Sequence, residues 1–522
     1  MTFEIVFVLL SLLGMMAALI ADKMRPGMVL FSVVVLFLCV GILTPKEMLE
    51  GFSNKGMITV ALLFLVSEGI RQSGTLGQVI KKLLPQGKTT VFKAQLRILP
   101  SVAFISAFLN NTPVVVIFAP IIKHWAKSVK LPATKFLIPL SYVTILGGIC
   151  TLIGTSTNLV VHGMILEAGY EGFTMFELGK VGIFIAIAGI IYLFIFSKRL
   201  LPDARPDTAV PDEEVEEGEK LHRVEAVLGA RFPGINKKLS DFNFQRHYGA
   251  EVKEIKTRNG QRYVDHLEDV VLREGDTLVV MADDTFIPTW GESSVFVLLT
   301  NGNDPDTSGK KKRWLALILL VLMIVGATVG ELPATKEMFP DIKLDMFFFV
   351  CITTIIMAWT NIFPARKYTK YISWDILITI ACAFAISKAM VNSGVADCVA
   401  GFIIGLSDDY GPHVLLAILF VITNLFTELI TNNAAAALAF PLALSISAQL
   451  GVSPTPFFVV ICMAASASFS TPIGYQTNLI VQGIGNYKFT DFVRIGLPLN
   501  IITFLISVIL IPLIWNFNKH IL

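Results

Sequence analysis

The sequence predicts an all-α polytopic membrane protein: two inverted repeats, each of five transmembrane helices plus a re-entrant hairpin, with a small α/β cytoplasmic domain inserted between them. Of the 522 residues, 54% are hydrophobic and 16% are charged, whereas soluble proteins carry about a quarter charged residues. Apolar runs long enough to span a bilayer recur along the chain. A polar motif near residue 110 returns near residue 432, which indicates a duplication.

The apolar runs form two sets with the same pattern. Each set holds five predicted transmembrane helices and one longer stretch with polar residues in its middle, which favours a hairpin over a straight span. In the first set the helices fall near 3–21, 27–43, 57–72, 134–166 and 176–198, and the hairpin at 91–126. In the second set the helices fall near 313–329, 345–363, 373–391, 455–485 and 492–515, and the hairpin at 412–449.

The residues between the two sets differ from both in composition. An acidic linker is predicted at 203–219, and a domain of short alternating runs separated by turn residues at 220–302. The first membrane repeat is then 1–202 and the second 303–522. The chain contains neither GxGxxG after a strand nor GxxxxGK[ST], so it favours neither dinucleotide binding nor ATP coupling. No nucleic-acid partner is expected.

The charged loops predict how the two repeats lie in the membrane. Five crossings is an odd number, so the second repeat must be inverted relative to the first. Lys and Arg cluster near residues 23, 82, 127 and 367 and around the insert, which places these loops in the cytoplasm. Both termini are then extracytoplasmic in a multi-pass protein of the cell (inner) membrane. The start lacks a basic leader region, which predicts a transmembrane helix rather than a signal peptide.

The duplicated polar motif lies at the tip of each predicted hairpin. In the first hairpin it reads Ser106-Ala-Phe-Leu-Asn110-Asn111-Thr112, and in the second Thr427-Glu-Leu-Ile-Thr431-Asn432-Asn433. A second polar element follows in each half, starting at Gly154-Thr155 and at Gly474-Tyr475. Uncharged polar groups at membrane depth, repeated in two inverted halves, are typical of the midplane site of a secondary transporter.

The spacing within each tip predicts what it binds. A hydroxyl four residues before the tip lies one helical turn below it on the same face, so its oxygen can join carbonyls of the unwound tip around a hard cation such as Na⁺. Amides at the start of the following helix can donate to an anion. Single polar residues in membrane helices often only bridge neighbouring helices, but the duplication favours a binding site over that alternative.

These residues also resemble a known family. Paired hairpin tips, each followed by a Gly- and Thr-containing broken element, resemble those of the divalent anion/sodium symporter (DASS) family, whose members carry sulfate, C4-dicarboxylates or citrate. The segment Gly147–Asn158 resembles the corresponding segment in the branch of the family whose members carry soluble domains between their two membrane halves. Within the insert, Phe242–Gly249 and Leu272–Leu278 are similar to the TrkA-C ligand-binding domain of potassium-uptake regulators.

The resemblance implies roles for the tip residues. It implies Na⁺ as the transported coupling ion, no tightly bound organic cofactor, no enzymatic activity, and a homodimer in which a transport domain moves against a scaffold. The implied cation ligands are Ser106, Asn110, Asn111 and Gly154 in the first half, and Thr427, Thr431, Asn432 and Gly474 in the second. The implied substrate contacts are Asn111, Thr112, Thr155, Asn432, Asn433 and Tyr475.

Departures from the family pattern bear on the substrate. Asn110 stands where Ser is usual and Asn433 where Thr is usual, and neither downstream element has the usual double proline. More amide donors and no basic residue at either tip favour a small divalent anion of the sulfate type over a C4-dicarboxylate or citrate. Glu428 beside the second tip could bind a cation or proton, or pair structurally.

Other functional classes remain open on the sequence. A ligand-regulated ion channel would be expected to carry a carbonyl selectivity loop of the TVGYG type, and none occurs. A membrane sensor can be distinguished from a transporter only by a transport assay. The inserted domain is expected to bind a small ligand whose identity the sequence does not predict.

Overall fold

A computed structural model of the chain gives the fold. It describes residues 3–518 apart from 22, 86, 204–221, 230, 258–260, 284–285, 287–289, 291–294, 301–309, 340 and 406–410. Except for Asp203, the predicted acidic linker therefore lies outside the described residues.

The described residues of the first membrane repeat form ten α-helices, which are numbered here in chain order. They are α1 (Phe3–Ala21), α2 (Pro26–Val40), α3 (Pro45–Glu50), α4 (Lys55–Gln72), α5 (Thr75–Leu83), α6 (Val91–Ser106), α7 (Asn111–Ser128), α8 (Leu137–Gly148), α9 (Ser156–Glu167) and α10 (Gly179–Leu200). Helices α6 and α7 form the predicted hairpin. The predicted span 134–166 is broken into α8 and α9.

The second membrane repeat follows the same order. Its described helices are α12 (Lys310–Gly330), α13 (Pro333–Met338), α14 (Met346–Trp359), α15 (Tyr368–Tyr371), α16 (Trp374–Asn392), α17 (Val395–Gly405), α18 (Gly411–Leu429), α19 (Asn432–Leu450), α20 (Thr455–Ser466), α21 (Gln476–Gly485) and α22 (Phe489–Ile514). Helices α18 and α19 form the second hairpin, and α20 and α21 are the two pieces of the second broken span.

The polytopic membrane fold that the sequence predicts is confirmed. Eight of the described helices are long and apolar enough to cross a membrane. Shorter apolar helices are α2, α8, α14, α17 and α20. Five described helices of the membrane repeats were not predicted, namely α3, α5, α13, α15 and α17, because each is too short to read as a membrane span.

The membrane helices pack as two groups, each drawn from both repeats. The scaffold group contains α1–α5 and α12–α17, with α2 against α16 and α4 against α14. The hairpin group contains α6–α10 and α18–α22, with α6 against α8, α18 against α20, and α10 against α22. The two groups meet where α4 packs on α9 and where α16 and α17 pack on α19. Both hairpin tips therefore belong to one packed unit.

The insert folds as a small antiparallel sheet. Its strands are β1 (His222–Leu228), β2 (Glu251–Lys256), β3 (Arg262–Tyr263), β4 (Thr277–Ala282) and β5 (Phe296–Thr300), and its short helix is α11 (Phe244–Tyr248). The strand order is β3-β2-β4-β1-β5. An aromatic cluster fills its core, with the Phe232 ring 5.0 Å from that of Phe242 and 5.8 Å from that of Tyr248. The sheet confirms a small domain between the two membrane repeats.

The inserted domain contacts the hairpin group. Strand β5 packs on α7, and Lys123 of α7 donates to both carboxylate oxygens of Glu225 on β1, at 2.9 and 3.0 Å. Thr277 on β4 lies against Gly483 of α21. Burial alone raises the pKa of Glu225, but the ammonium groups of Lys123 and Lys256 outweigh burial and bring the pKa to about 2.

The inserted domain also reaches the scaffold group. Arg231 donates to the carbonyl of Ile372, just before α16, at 3.4 Å. Asn236 donates to the carbonyl of Lys23, between α1 and α2, at 3.4 Å. The domain therefore bridges both helix groups at one end of the bundle.

Candidate functional site

Four helices of the hairpin group begin at one place. Helices α7 and α19 start at the hairpin tips, and α9 and α21 start after the breaks in the two broken spans. Helix α7 packs on α21 and α9 on α19, so each hairpin meets the broken span of the opposite repeat. Amides in the first turn of a helix have no partner within that helix, and the helix dipole is positive there. The arrangement suits an anion.

A chain of hydrogen bonds links the first tip to the second repeat. Ser106 donates to Asn111 Oδ1 at 2.8 Å, and Asn111 Nδ2 donates to the Tyr475 hydroxyl at 2.6 Å. That hydroxyl also lies 3.0 Å from Thr155 Oγ1 and beside Asn432 of the second tip. Asn111 is fully buried and Tyr475 is 8% exposed. Tyr475 therefore joins residues of both tips and both broken spans.

The second tip makes the reciprocal contact with the first repeat. Asn433 Oδ1 accepts from Ser156 at 3.2 Å and from Thr157 at 3.3 Å. On the other side, Thr112 donates to Gln476 Oε1 at 3.3 Å. The side chains in these contacts are uncharged hydroxyls and amides, as the sequence predicts.

The breaks in the two spans are held open in the same way. Asn158 donates to the carbonyl of Thr151 at 2.8 Å, and Asn478 donates to the carbonyl of Thr471 at 3.2 Å. Each threonine hydroxyl in turn accepts from a backbone amide three residues on, at 3.1 Å in the first repeat and 3.3 Å in the second. These bonds satisfy backbone groups that the unwound chain leaves without helical partners.

Three glycines let the broken spans approach the tips. A Cβ on Gly148 would lie 2.7 Å from Asn111 Oδ1, and one on Gly154 would lie 2.5 Å from the Gly148 carbonyl. In the second repeat a Cβ on Gly474 would lie 2.6 Å from the Thr427 carbonyl. Real Cβ atoms do not come this close to backbone or amide oxygens, so each position requires glycine. Of the glycines predicted at the cation sites, Gly474 lies against the predicted tip residue Thr427, whereas Gly154 lies against Gly148, which in turn lies against Asn111.

Three predicted cation ligands take no part in the hydrogen bonds that join Asn111 to Tyr475. Asn110 caps α7 without a side-chain capping bond and lines a small gap toward the scaffold group, together with Ser67 and Ser156. In the second repeat Thr427 donates to the carbonyl of Ala465 at 2.6 Å, and Thr431 Oγ1 is buried without a hydrogen-bond partner among the described residues. An unpaired oxygen here is available to a cation.

Several site residues lie in or beside the predicted polar elements but were given no individual role by the sequence reasoning. Ser156, Thr157 and Gln476 flank predicted residues and contact the tips. Their signal was position alone, because each lies in the first turn of a helix that starts at the site. Thr151 and Thr471 carried a stronger signal, because both halves place a threonine three residues before the predicted glycine.

Comparison with known proteins assigns the chain to a family. A family model described as CitMHS, citrate transporter, matches residues 16–447, and a further match covers 335–521. The chain belongs to the CitMHS citrate transporter family. The match confirms the predicted membership of a DASS-like group of anion transporters, whereas the likeness of the insert to a TrkA-C domain stays a prediction. As a CitMHS member, the chain is a multi-pass membrane transporter rather than an enzyme.

Relatives of this CitMHS protein differ in how much of it they match. An uncharacterized transporter of Synechocystis sp. is 29% identical over 93% of this chain and 93% of its own length. A sodium/sulfate cotransporter of Chlamydomonas reinhardtii is 30% identical over 54% of this chain and 31% of its own length. A sodium-dependent dicarboxylate transporter of Staphylococcus saprophyticus is 25% identical over 28% of each chain.

Proposed function

We propose that this protein is a Na⁺-coupled symporter that imports a small divalent anion, with sulfate as the favoured substrate. The observation that carries the proposal is the contact of both hairpin tips through Asn111, Tyr475 and Asn432. One anion bound there would touch both repeats at once, together with the helix starts that surround it.

The chemistry of the site supports cation coupling. A divalent anion among uncharged side chains and helix dipoles needs counter-charge, because a buried charge is costly unless it is paired. Ser106 and Asn111 at one tip, and Thr431 at the other, offer oxygen atoms of the kind that Na⁺ prefers. Bound Na⁺ would offset the charge of the anion, so the affinity for each would rise with the other.

The donors at the site support sulfate over a larger carboxylate substrate. The Asn111 amide and the Thr155 hydroxyl both lie within hydrogen-bond distance of the Tyr475 hydroxyl, and such convergence fits a compact tetrahedral oxyanion. A C4-dicarboxylate or citrate is the alternative substrate. Relatives whose names specify sodium/sulfate and sodium-dependent dicarboxylate transport support Na⁺ coupling for either substrate.

We further propose that the inserted domain regulates transport by binding a small ligand. A cleft of about 350 Å³ on this domain is lined by polar residues including Thr257, Tyr263, His266 and Arg273. Because the same domain contacts both helix groups, a ligand that shifts it would alter how those groups move. The charge pattern of the loops supports a cytoplasmic position for this domain.

Alanine variants at the two tips test the site. Asn111→Ala and Asn432→Ala lie in opposite repeats, yet each is expected to reduce Na⁺-gradient-driven sulfate uptake in proteoliposomes by more than about tenfold, because each leaves a buried partner unsatisfied. Asn392→Ala is the matched control, since Asn392 lies in the scaffold group, where it donates to the Ile42 carbonyl and to Glu47. Unchanged uptake by either tip variant would show that the anion binds elsewhere.

A further inference from the structure

A polar cluster in the second repeat has apolar or weakly polar counterparts in the first. The cluster consists of Glu428, Ser470 and Asn500. The equivalent positions of the first repeat hold Ala107, Cys150 and Ala186. Three separate chain segments therefore carry polar residues at one place in the second repeat, where the first repeat carries apolar or weakly polar ones.

The equivalence of these positions follows from matched contacts. Glu428 follows Thr427 as Ala107 follows Ser106, and Ser470 precedes Thr471 as Cys150 precedes Thr151. Gly496 packs on the backbone of Phe469 and Ser470, as Gly182 packs on that of Ile149 and Cys150. Asn500 and Ala186 each lie four residues after those glycines, one helical turn further along α22 and α10.

The three side chains are bonded to one another. The Ser470 amide donates to Glu428 Oε1 at 2.9 Å. Asn500 Nδ2 donates to the same oxygen at 2.7 Å and to Ser470 Oγ at 2.8 Å. All of the donors in these bonds are neutral, so the cluster holds a carboxylate without a positive partner among its own members.

Two oxygens of the cluster are left over. Glu428 Oε2 and Asn500 Oδ1 are both buried, and neither accepts a hydrogen bond of good geometry among the described residues, although the hydroxyl and amide of Thr471 also lie near the Glu428 carboxylate. Asn500 is only 6% exposed. No ion pair of Glu428 occurs among the described ion pairs either. A buried carboxylate oxygen and a buried amide oxygen without partners are both costly, and a cation would satisfy both.

We propose that Glu428, Asn500 and Ser470 bind a further Na⁺, separate from the cations at the two tips. Carboxylate, amide and hydroxyl oxygens are hard ligands that suit Na⁺. The inference rests on the proposed Na⁺-coupled transport of a divalent anion. Two Na⁺ at the tips would neutralise that anion, so a third would make each transport cycle carry one net positive charge inward.

The cluster is linked to the second tip. Thr471 Oγ1 donates to the carbonyl of Glu428 at 3.2 Å and accepts from the amide of Gly474 at 3.3 Å. Occupation of the cluster therefore acts on the loop that forms the second cation site. Through this connection, a third cation that does not touch the anion would still affect the binding of the anion.

The test counts Na⁺ and charge per anion in proteoliposomes. In the wild-type protein, the Na⁺ dependence of sulfate uptake is expected to have a Hill coefficient above two, and an inside-negative potential should speed uptake. With Glu428→Gln, uptake should continue with one Na⁺ fewer per anion, and the stimulation by membrane potential should disappear. Glu68→Gln is the matched control, because Glu68 is a half-buried carboxylate already paired with Arg71 at 2.6 Å.

The outcomes separate this inference from the proposed function. A wild-type protein without Na⁺-dependent uptake would overturn the proposed function itself. Na⁺-driven wild-type uptake with unchanged stoichiometry in Glu428→Gln would overturn only the third cation. A proton gradient that replaces Na⁺ in the wild type but not in Glu428→Gln would also overturn it, since the carboxylate would then carry a proton. If Glu428→Gln fails to fold, Asn500→Ala should raise the Na⁺ concentration for half-maximal uptake, and an unchanged value would count against the site.

Discussion

At the scale of single residues, Tyr475 is the side chain on which the two repeats converge. Its hydroxyl accepts from Asn111 and lies 3.0 Å from Thr155. Tyr475→Phe removes this hydroxyl and leaves the buried Asn111 amide without an acceptor, which costs about 1–3 kcal/mol, or about fivefold to 150-fold. We expect the KM for sulfate to rise by that factor in proteoliposome uptake.

A control separates this effect from the loss of any buried hydroxyl. Tyr192 of α10 donates to the Ile495 carbonyl at 3.0 Å, away from both tips. Tyr192→Phe should leave the KM for sulfate within about twofold of the wild type, because the bond it loses faces no substrate. An equal rise in KM for both variants would mean that Tyr475 acts through general packing.

Residue types in the site were predictable, but their pairings were not. Alignment of the repeated polar motifs in the two halves is enough to predict Asn111, Thr155 and Tyr475 as site residues. The contact between Asn111 and Tyr475 joins residues 364 positions apart, and such a pairing depends on how the repeats pack. Asn110 shows the same limit, because it lines a gap toward the scaffold group and makes no side-chain capping bond. Periodicity cannot decide which way a residue in an unwound tip faces.

At the scale of elements, the predicted hairpins and broken spans match the structure because their signals are local. Pro113 lies in the first turn of α7, where a missing N–H costs nothing. The breaks after α8 and α20 follow from glycines that sit against backbone or amide oxygens. Short helices such as α5 and α17 were missed, since their 9 and 11 residues are too few for a membrane span.

At the scale of the whole molecule, the inserted domain is tied to the first hairpin by a charge contact. Lys123→Glu would place two carboxylates together where Lys123 now donates to Glu225. We expect faster hydrogen exchange in β1, measured on the purified protein, because the domain would separate from α7. Lys127→Glu is the matched control on the same helix. Equal exchange in both variants would mean that the Lys123 contact does not hold the domain in place.

The same contact predicts how docking responds to pH. Because the folded pKa of Glu225 is lowered to about 2, the carboxylate stabilises docking fully above its ordinary value and loses that effect only as the pH falls through about 2. Docking of the domain should therefore not change between about pH 5 and 8, and hydrogen exchange in β1 should show no loosening of the domain across that range. A loosening of the domain within that range would contradict the assignment of Glu225.

The docking of the insert could not be predicted from the sequence. The change in composition marks the domain as separate, and its alternating runs predict a sheet. Nothing in a linear pattern indicates that Glu225 meets Lys123 or that Arg231 reaches Ile372. These contacts depend on tertiary placement of two independently formed units.

The most direct test of the central claim is transport by the purified wild-type protein. Proteoliposomes would be given labelled sulfate, succinate or citrate, each with an inward gradient of Na⁺, K⁺ or protons. We predict concentrative uptake of sulfate with the Na⁺ gradient, and little with K⁺ or protons. Uptake of succinate or citrate in place of sulfate would change the substrate but keep the mechanism. No gradient-driven uptake of any of the three anions, or uptake indifferent to the cation, would contradict the account.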